Sequence, residues 1–197
     1  MHKFVGSELR LLIFLSFLMA FFVALSNFLV QFPINIFGFK EILTYGAFSY
    51  PVTFLITDLS NRRFGKDIAR KVVYLGFILG ILLTVFFSTN FSDLISIRVA
   101  IGSGTAFLIA QLVDVQIFDK LRNKIWFAAP FTSSLIGSII DTFLFFFIAF
   151  YATGINWITL GLGDFAVKFL MALTMLIPFR IFITMLKDKY SRKTFTV

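Results

Sequence analysis

The stretch SYPVTFLITDLSNRRFGKDIARK, residues 49–71, joins an apolar run to a cluster of basic residues. The apolar run ends in Asp58, and five basic residues follow within 13 positions: Arg62, Arg63, Lys66, Arg70 and Lys71. An apolar run that meets a basic loop is typical of a membrane span that ends at the cytoplasmic surface. A carboxylate at the C-terminal end of a helix faces the negative end of the helix dipole, so Asp58 needs a cationic partner. We expect Arg62 or Arg63 to pair with it as a latch at the inner face.

The composition places the chain among integral membrane proteins. Of its 197 residues, 59% are hydrophobic, only 14% are charged, and 30 are Phe. A soluble domain of this size needs a polar outer layer, which this chain lacks the residues to build. The absence of cysteine excludes disulfides and thiolate chemistry. The net charge of +8 does not indicate nucleic acid as a partner, because the basic residues lie in short loops between apolar runs.

Apolar segments long enough to cross a lipid bilayer recur along the chain. The first follows a basic start, as a signal peptide does, but it is about 20 residues long and no small-residue cleavage site follows it. We interpret it as a retained span. A β-barrel is excluded because runs such as FLFFFIAF, residues 143–150, do not alternate between polar and apolar residues. The prediction is an all-α bundle of six transmembrane helices in one domain, residues 1–197, with spans at 11–32, 42–58, 72–90, 98–119, 126–152 and 165–186.

The loops between these spans alternate in charge. Basic residues lie before span 1, between spans 2 and 3, between spans 4 and 5, and in the tail, whereas the other three loops contribute only Lys40 and Arg98. The positive-inside rule then puts both termini in the cytoplasm. The linkers leave no room for a soluble domain. The chain has no phosphate-binding loop of the G-x-x-x-x-G-K-S/T type, so it carries no ATPase of its own.

Polar groups within the spans are the candidates for function, because a charge at mid-membrane costs about 2.5–3.5 kcal/mol on insertion scales. Span 4 contains Gln111 and Asp114, three residues apart on one face. In span 5, Ser134, Ser138 and Asp141 follow at helical spacing and form one polar stripe. Asp141 lies near the middle of its span and is the strongest candidate for a ligand or proton site. For both acids the alternative is a side chain that only joins helices through hydrogen bonds.

Three charged residues lie at the start of span 6 or within it. Asp164 and Lys168 are four apart and can pair on one face. Asp164 also suits a helix N-cap, and Lys168 can snorkel outward. Arg180, close to Pro178, can snorkel or close a cytoplasmic gate. Around the helix axis, the direction of Arg180 differs from that of Lys168 by about 120°, so the two side chains should not share a face.

No pattern in the sequence indicates catalysis or a metal. No group of His, Asp and Glu has the spacing of metal ligands, and no hydroxyl has a nearby His to activate it. Transport therefore fits better than enzymatic activity, and we expect no cofactor. The sequence is compatible with a homo-oligomer and does not decide the oligomeric state.

Four segments carry a family resemblance: YPVTFLITDLSNRRFG (50–65), AIGSGTAFLIAQLVDVQIFDKLR (100–122), SSLIGSIIDTFLFF (133–146) and GDFAVKFLMALTMLIPFR (163–180). Together they resemble the queuosine precursor transporters of the vitamin-uptake transporter group, over roughly residues 45–186. The resemblance implies six helices in a bacterial inner membrane. It implies import of 7-cyano-7-deazaguanine or 7-aminomethyl-7-deazaguanine, precursors of queuosine in tRNA. It also implies similarity to the substrate-binding subunits of energy-coupling-factor transporters, without their ATPase module.

Such a substrate presents a ring N–H beside an exocyclic amine, a pair of donors that fits a carboxylate. We expect Asp141 or Asp114 to bind this edge, while Gln111, Ser138 or Lys168 donates to the neighbouring carbonyl. The predicted substrate-binding residues are Asp141, Asp114, Gln111, Ser138, Ser134, Lys168 and Asp164, and the predicted latch or gate residues are Asp58, Arg62, Arg63 and Arg180.

Three functions are open at this point. The first is a stand-alone carrier, coupled to a proton through one of the acids. The second is a substrate-binding subunit for a vitamin-like heterocycle that needs an energising partner. The third is a structural membrane protein without a substrate, against which the polar stripe of Asp141 argues.

Overall fold

The computed structural model describes residues 6–34, 44–87 and 92–194, which are predominantly helical. The helices are α1 (Gly6–Leu29), α2 (Gly46–Ser49), α3 (Pro51–Phe64), α4 (Lys66–Phe87), α5 (Leu94–Leu121), α6 (Ala128–Phe150) and α7 (Trp157–Thr194). The described residues form no strand. An isolated antiparallel β-bridge pairs Pro33 with Thr44. The predicted all-α class is confirmed.

Five helices in the described part of the chain are long and apolar enough to cross a membrane. They are Leu9–Leu29, Lys66–Phe87, Leu94–Leu121, Ala128–Phe150 and Trp157–Met185. They correspond to five of the six predicted spans. Many large apolar side chains on these helices are exposed, which suits a surface that faces lipid and not water.

The predicted second span, residues 42–58, differs from the others. Residues 42 and 43 lie outside the described part, and helical structure begins with α2, which is separated from α3 at Tyr50. Pro51 occupies the start of α3, where its missing N–H is not needed. The helix continues past Asp58 to Phe64, so the prediction that Asp58 ends the helix was wrong.

The polar residues of α3 explain this error. Five of them are at most 2% exposed: Thr53, Thr57, Asp58, Ser60 and Asn61. They face other helices, since α3 contacts α1, α4, α5, α6 and α7. The Ser60 hydroxyl donates to the carbonyl of Ile56 at 2.6 Å, and Asn61 Nδ2 donates to the carbonyl of Val115 in α5 at 2.9 Å. An enclosed helix can carry polar groups that a lipid-facing helix cannot.

The turn between α3 and α4 consists of Gly65 alone. Its φ of 85° lies in the left-handed region that favours glycine. The basic residues predicted in a loop at this point, Lys66, Arg70 and Lys71, therefore lie in the first turns of α4.

Small residues allow the helices to approach closely. A Cβ atom at Gly76 of α4 would lie 2.2 Å from Cγ of Met19 in α1. A Cβ atom at Gly102 of α5 would lie 3.3 Å from the carbonyl oxygen of Phe145 in α6. These contacts agree with close helix packing as the role of glycine.

Helix α7 begins at Trp157, eight residues before the predicted start of span 6 at residue 165. Asp164 therefore lies about two turns inside the helix. The predicted N-cap role of Asp164 was wrong for this reason. Pro178 lies within α7, and the helix continues beyond it.

Candidate functional site

A buried cluster of charged groups joins α6 to α7. Lys168 Nζ donates to Oδ2 of Asp141 at 2.8 Å and to Oγ1 of Thr142 at 3.1 Å. It also lies 2.6 Å from Oδ2 of Asp164, which accepts from the Thr142 hydroxyl at 2.9 Å. We call these four residues the lysine centre. Lys168 is only 4% exposed and pairs with Asp164 as one prediction had it, so the alternative that it snorkels outward was wrong.

The helix register produces this arrangement. Asp164 and Lys168 are one turn apart on α7 and share a face. Asp141 and Thr142 are consecutive on α6, so they approach Lys168 from directions about 100° apart. Two carboxylates and one ammonium group leave the lysine centre with an excess of one negative charge when all three are ionised. A buried net charge is costly, so the centre favours a ligand that supplies hydrogen-bond donors or positive charge.

A cavity adjoins the lysine centre. The space between its lining atoms is about 350 Å³, a figure that includes space open to the surroundings. Its lining combines Asp141, Asp164 and Lys168 with residues from other elements, which include Ser26, Asn27, Tyr50, Ser103 and Phe145.

Two buried polar atoms at this cavity, Oδ1 of Asp141 and the hydroxyl oxygen of Tyr50, have no hydrogen bond of good geometry within the described ranges, although the two side chains lie close to each other. The first can accept hydrogen bonds, and the second can donate or accept. The Tyr50 ring lies over the ammonium group of Lys168, with Nζ 5.0 Å from the ring centroid. The cavity thus offers a ligand a charged acceptor, a hydroxyl group and aromatic side chains within one small volume.

A larger cavity of about 830 Å³ continues from the first. The two cavities share Asn27, Val30 and Phe145 in their linings. The larger one extends to Asp93 and Ser96 at the start of α5. A ligand can therefore approach the lysine centre from the end of the bundle where α5 begins.

A second polar centre lies where α3, α5 and α6 meet. Oδ1 of Asp58 accepts from Ser133 at 3.2 Å, and Oδ2 accepts from Ser134 at 3.2 Å. Asp114 faces Asp58 and Ser133, yet neither of its carboxyl oxygens has a hydrogen-bond partner in the described part of the chain. We call these four residues the carboxyl centre. Asp58 is 2% exposed and Asp114 is 0% exposed, so the centre is closed to solvent.

The structure does not pair Asp58 with Arg62, as the predicted latch required. The Asp58 carboxylate points to the serines of α6, while Arg62 Nη1 donates to the carbonyl of Arg122 at 2.5 Å. The physical reason is the length of α3. Asp58 lies six residues before the helix end, inside the protein, whereas Arg62 lies in the last turn.

The other two residues predicted for the latch or gate contact aromatic rings. The guanidinium carbon of Arg63 is 5.8 Å from the ring centroid of Phe64. The guanidinium carbon of Arg180 is 4.9 Å from the ring centroid of Trp126, which lies in the turn between α5 and α6. A cation over an aromatic face is attracted to it, which holds these two side chains against the rings.

Five of the seven predicted substrate residues belong to the two centres. Three belong to the lysine centre and two to the carboxyl centre: Asp141, Asp164 and Lys168, and Asp114 and Ser134. Gln111 lies between α3 and α5, where its Nε2 donates to Thr53 at 2.9 Å and its Oε1 accepts from Thr57 at 2.5 Å. Ser138 is buried on α6, one turn from Ser134 and one turn from Asp141.

Three residues at these centres were not predicted: Tyr50, Thr142 and Ser133. Ser133 precedes Ser134, so the pair of serines was a visible signal. Tyr50 precedes Pro51 at the break between α2 and α3, a position that marks an irregularity but not a ligand contact. No sequence pattern marks Thr142, because a threonine within a helix commonly bonds to its own backbone.

The family model described as "Putative vitamin uptake transporter" matches residues 44–183. The chain belongs to this family. The matched range agrees with the resemblance predicted over roughly residues 45–186, and it contains both centres completely. No solved structure matches the chain.

Curated relatives agree with this assignment. The chain is 32% identical to "Queuosine precursor transporter" of Escherichia coli (strain K12), over 94% of this chain and 92% of the relative. It is 35% identical to "Probable queuosine precursor transporter" of Haemophilus influenzae, over 86% of this chain and 84% of the relative. A Bacillus subtilis protein of the same description is 27% identical over 75% of this chain and 74% of its own length. The chain is accordingly a multi-pass membrane transporter and not an enzyme.

Proposed function

We propose that the chain imports the queuosine precursors 7-cyano-7-deazaguanine and 7-aminomethyl-7-deazaguanine across a bacterial inner membrane, and that the lysine centre binds them. The names of the curated relatives support the substrate class. The observation that carries the site assignment is the buried Oδ1 of Asp141, which has no hydrogen-bond partner among the described residues and lies beside a cavity.

The chemistry of the ligand fits the lysine centre. The ring N–H and the exocyclic amine of a deazaguanine donate to the Asp141 carboxylate. The neighbouring carbonyl accepts from Lys168 or from the Tyr50 hydroxyl, and the flat ring packs against Tyr50 or Phe145. The excess negative charge of the centre attracts the ammonium group of the aminomethyl compound more than the neutral nitrile.

The function is tested in bacterial cells that lack both queuosine synthesis and their own importer. We expect expression of the chain to restore queuosine in tRNA when either precursor is supplied at low concentration. Cells that carry the empty vector are the control. Queuosine at the vector level, with the protein present in the membrane, would contradict the proposal.

A second measurement addresses the energising partner. We propose that the chain transports without one. Uptake of labelled 7-aminomethyl-7-deazaguanine by the purified chain in lipid vesicles would exclude an obligatory partner. Ligand-induced thermal stabilisation without uptake would instead favour a substrate-binding subunit of the energy-coupling-factor type, and neither effect would favour a structural protein.

We also propose that α2 and α3 together form a sixth crossing, with both termini in the cytoplasm. Residues 46–64 are helical except at the break, and 19 residues at 1.5 Å each span about 28 Å, close to the hydrocarbon thickness of a bilayer. A sixth crossing puts Arg10 at the start of α1 on the same side as the basic start of α4 and the basic α5–α6 turn, which satisfies the positive-inside rule.

The absence of cysteine from the chain makes this topology directly measurable. The two ends of the α2–α3 segment are probed by Tyr45→Cys and Lys66→Cys, because both side chains are exposed. In intact cells, a membrane-impermeant maleimide should label Tyr45→Cys and leave Lys66→Cys unlabelled until the membrane is permeabilised. Equal labelling of both variants in intact cells would show that α2 and α3 do not cross.

A further inference from the structure

We infer that the carboxyl centre binds a proton and couples its movement across the membrane to import through the lysine centre. This inference rests on the proposed function and adds an ion site to it. The two sites are separate in the structure, since the carboxyl centre joins α3, α5 and α6 and the lysine centre joins α6 and α7.

The burial of Asp58 and Asp114, and the lack of hydrogen bonds of good geometry to Asp114 among the described residues, indicate that the carboxyl centre holds a proton. Asp58 and Asp114 are both closed to solvent and face each other. Asp58 has two hydroxyl donors, whereas neither oxygen of Asp114 has a hydrogen bond of good geometry within the described ranges, although Asp58 and Ser133 lie close to it. A buried carboxylate without any donor is costly, while a carboxyl group that carries a proton supplies its own donor.

Among the described residues, no basic side chain forms an ion pair with Asp58 or Asp114. Asp114 is the charged group that acts on Asp58, and two like charges repel in a buried site. Six basic side chains on these and neighbouring helices have other contacts: Arg62 and Arg122 donate to backbone carbonyls, Lys66 pairs with Asp119, Arg63 and Arg180 lie over aromatic rings, and Lys168 belongs to the lysine centre. Two acids that cannot both ionise share a proton, which belongs to the pair and not to either residue.

The helices give the carboxyl centre a route to influence the lysine centre. Ser134 and Asp141 are seven residues apart on α6, which separates the two centres by about 10 Å along the helix. Gln111 lies between them, bonded to Thr57 and Thr53 of α3. Loss of the shared proton leaves two facing carboxylates, which repel and separate α3 from α5. Since α3 directly follows Tyr50, this separation alters the cavity at the lysine centre.

The experiment uses the purified full chain in lipid vesicles with labelled 7-cyano-7-deazaguanine. This precursor is uncharged, so a pH gradient acts on its accumulation only through a coupled proton. With one proton per ligand, an external medium 1 pH unit more acidic than the interior sustains about tenfold accumulation. We expect the wild type to accumulate the ligand under this gradient and to take up protons from outside, as reported by a pH-sensitive dye.

The variant Asp114→Asn should lose accumulation but retain counterflow, the gradient-free exchange of labelled for unlabelled ligand. Asp58→Asn provides a second test of the same pair. The matched control is Asp119→Asn, an acid on the same helix whose partners are Lys66 and Arg122 at the protein surface, and it should accumulate ligand as the wild type does. Accumulation by the wild type without a pH gradient, or in response to sodium instead, would overturn the inference. So would full accumulation by Asp114→Asn, or loss of counterflow in both carboxyl variants.

A measurement without ligand separates this inference from the proposed function. The infrared difference spectrum between the wild type and Asp114→Asn should contain the C=O band of a protonated carboxyl group. Absence of this band would overturn the proton site even if transport is observed. Absence of both counterflow and uptake in the wild type would contradict the proposed function, and the spectrum would still decide whether the pair holds a proton.

Discussion

Replacement of Asp141 by Asn should lower uptake of 7-aminomethyl-7-deazaguanine by at least about tenfold while the protein still accumulates in the membrane. Asn has nearly the same shape as Asp but exchanges one acceptor oxygen for a donor amide and removes the charge. A hydrogen bond to a charged group contributes about 1.5–3 kcal/mol, and each 1.4 kcal/mol corresponds to about tenfold in affinity. Folding is preserved because Lys168 keeps Asp164 as a partner at 2.6 Å.

The measurement is initial uptake at low substrate concentration, normalised to the amount of protein in the membrane. Asp67→Asn is the matched control, because it makes the same chemical change at a side chain that is 81% exposed and pairs loosely with Arg70 at 4.0 Å. Unchanged uptake in Asp141→Asn would remove Asp141 from the substrate site. An equal loss in Asp67→Asn would show that the effect is not specific to the lysine centre.

Lipid-facing helices are predictable from the sequence, whereas the enclosed helix is not. Five spans were identified correctly because hydropathy measures how well a helix surface fits lipid. Helix α3 is enclosed by protein instead, and Thr53, Asp58 and Asn61 form hydrogen bonds with α5 or α6. A hydropathy argument therefore ended the span at Asp58, although the helix runs to Phe64. The same error produced the incorrect pairing of Asp58 with Arg62.

The chemical types of the site residues were predictable, but their grouping was not. Acids and a lysine within apolar spans stand out because they are expensive in a membrane. Ser134 and Asp141 share a helical stripe, which suggested a single site. The structure assigns them to different centres because α3 contacts the early turns of α6 and α7 contacts the later ones. A stripe along one helix reports a common direction, and only the packing of neighbouring helices decides which residues meet.

Lys168 is the cation that pairs with both acids of the lysine centre. The variant Lys168→Met should therefore strongly lower the thermal stability of the purified protein. The substitution leaves the carboxylates of Asp141 and Asp164 buried without their cation. Removal of one partner from a buried ion pair costs about 3–5 kcal/mol, a large share of the 5–15 kcal/mol that stabilises a typical protein. The measurement is thermal denaturation in detergent, together with the amount of protein that reaches the membrane.

The triple variant Lys168→Met, Asp141→Asn, Asp164→Asn tests whether charge is the cause. It removes both buried carboxylates along with the ammonium group, so it should recover most of the stability that Lys168→Met loses. It should nevertheless transport no better than Asp141→Asn, because the acceptor for the substrate is gone. Wild-type stability in Lys168→Met alone would mean that the two acids are not both ionised in the folded protein. Failure of the triple variant to recover would mean that Lys168 stabilises the bundle by its packing, which includes its contact with the Tyr50 ring, rather than by its charge.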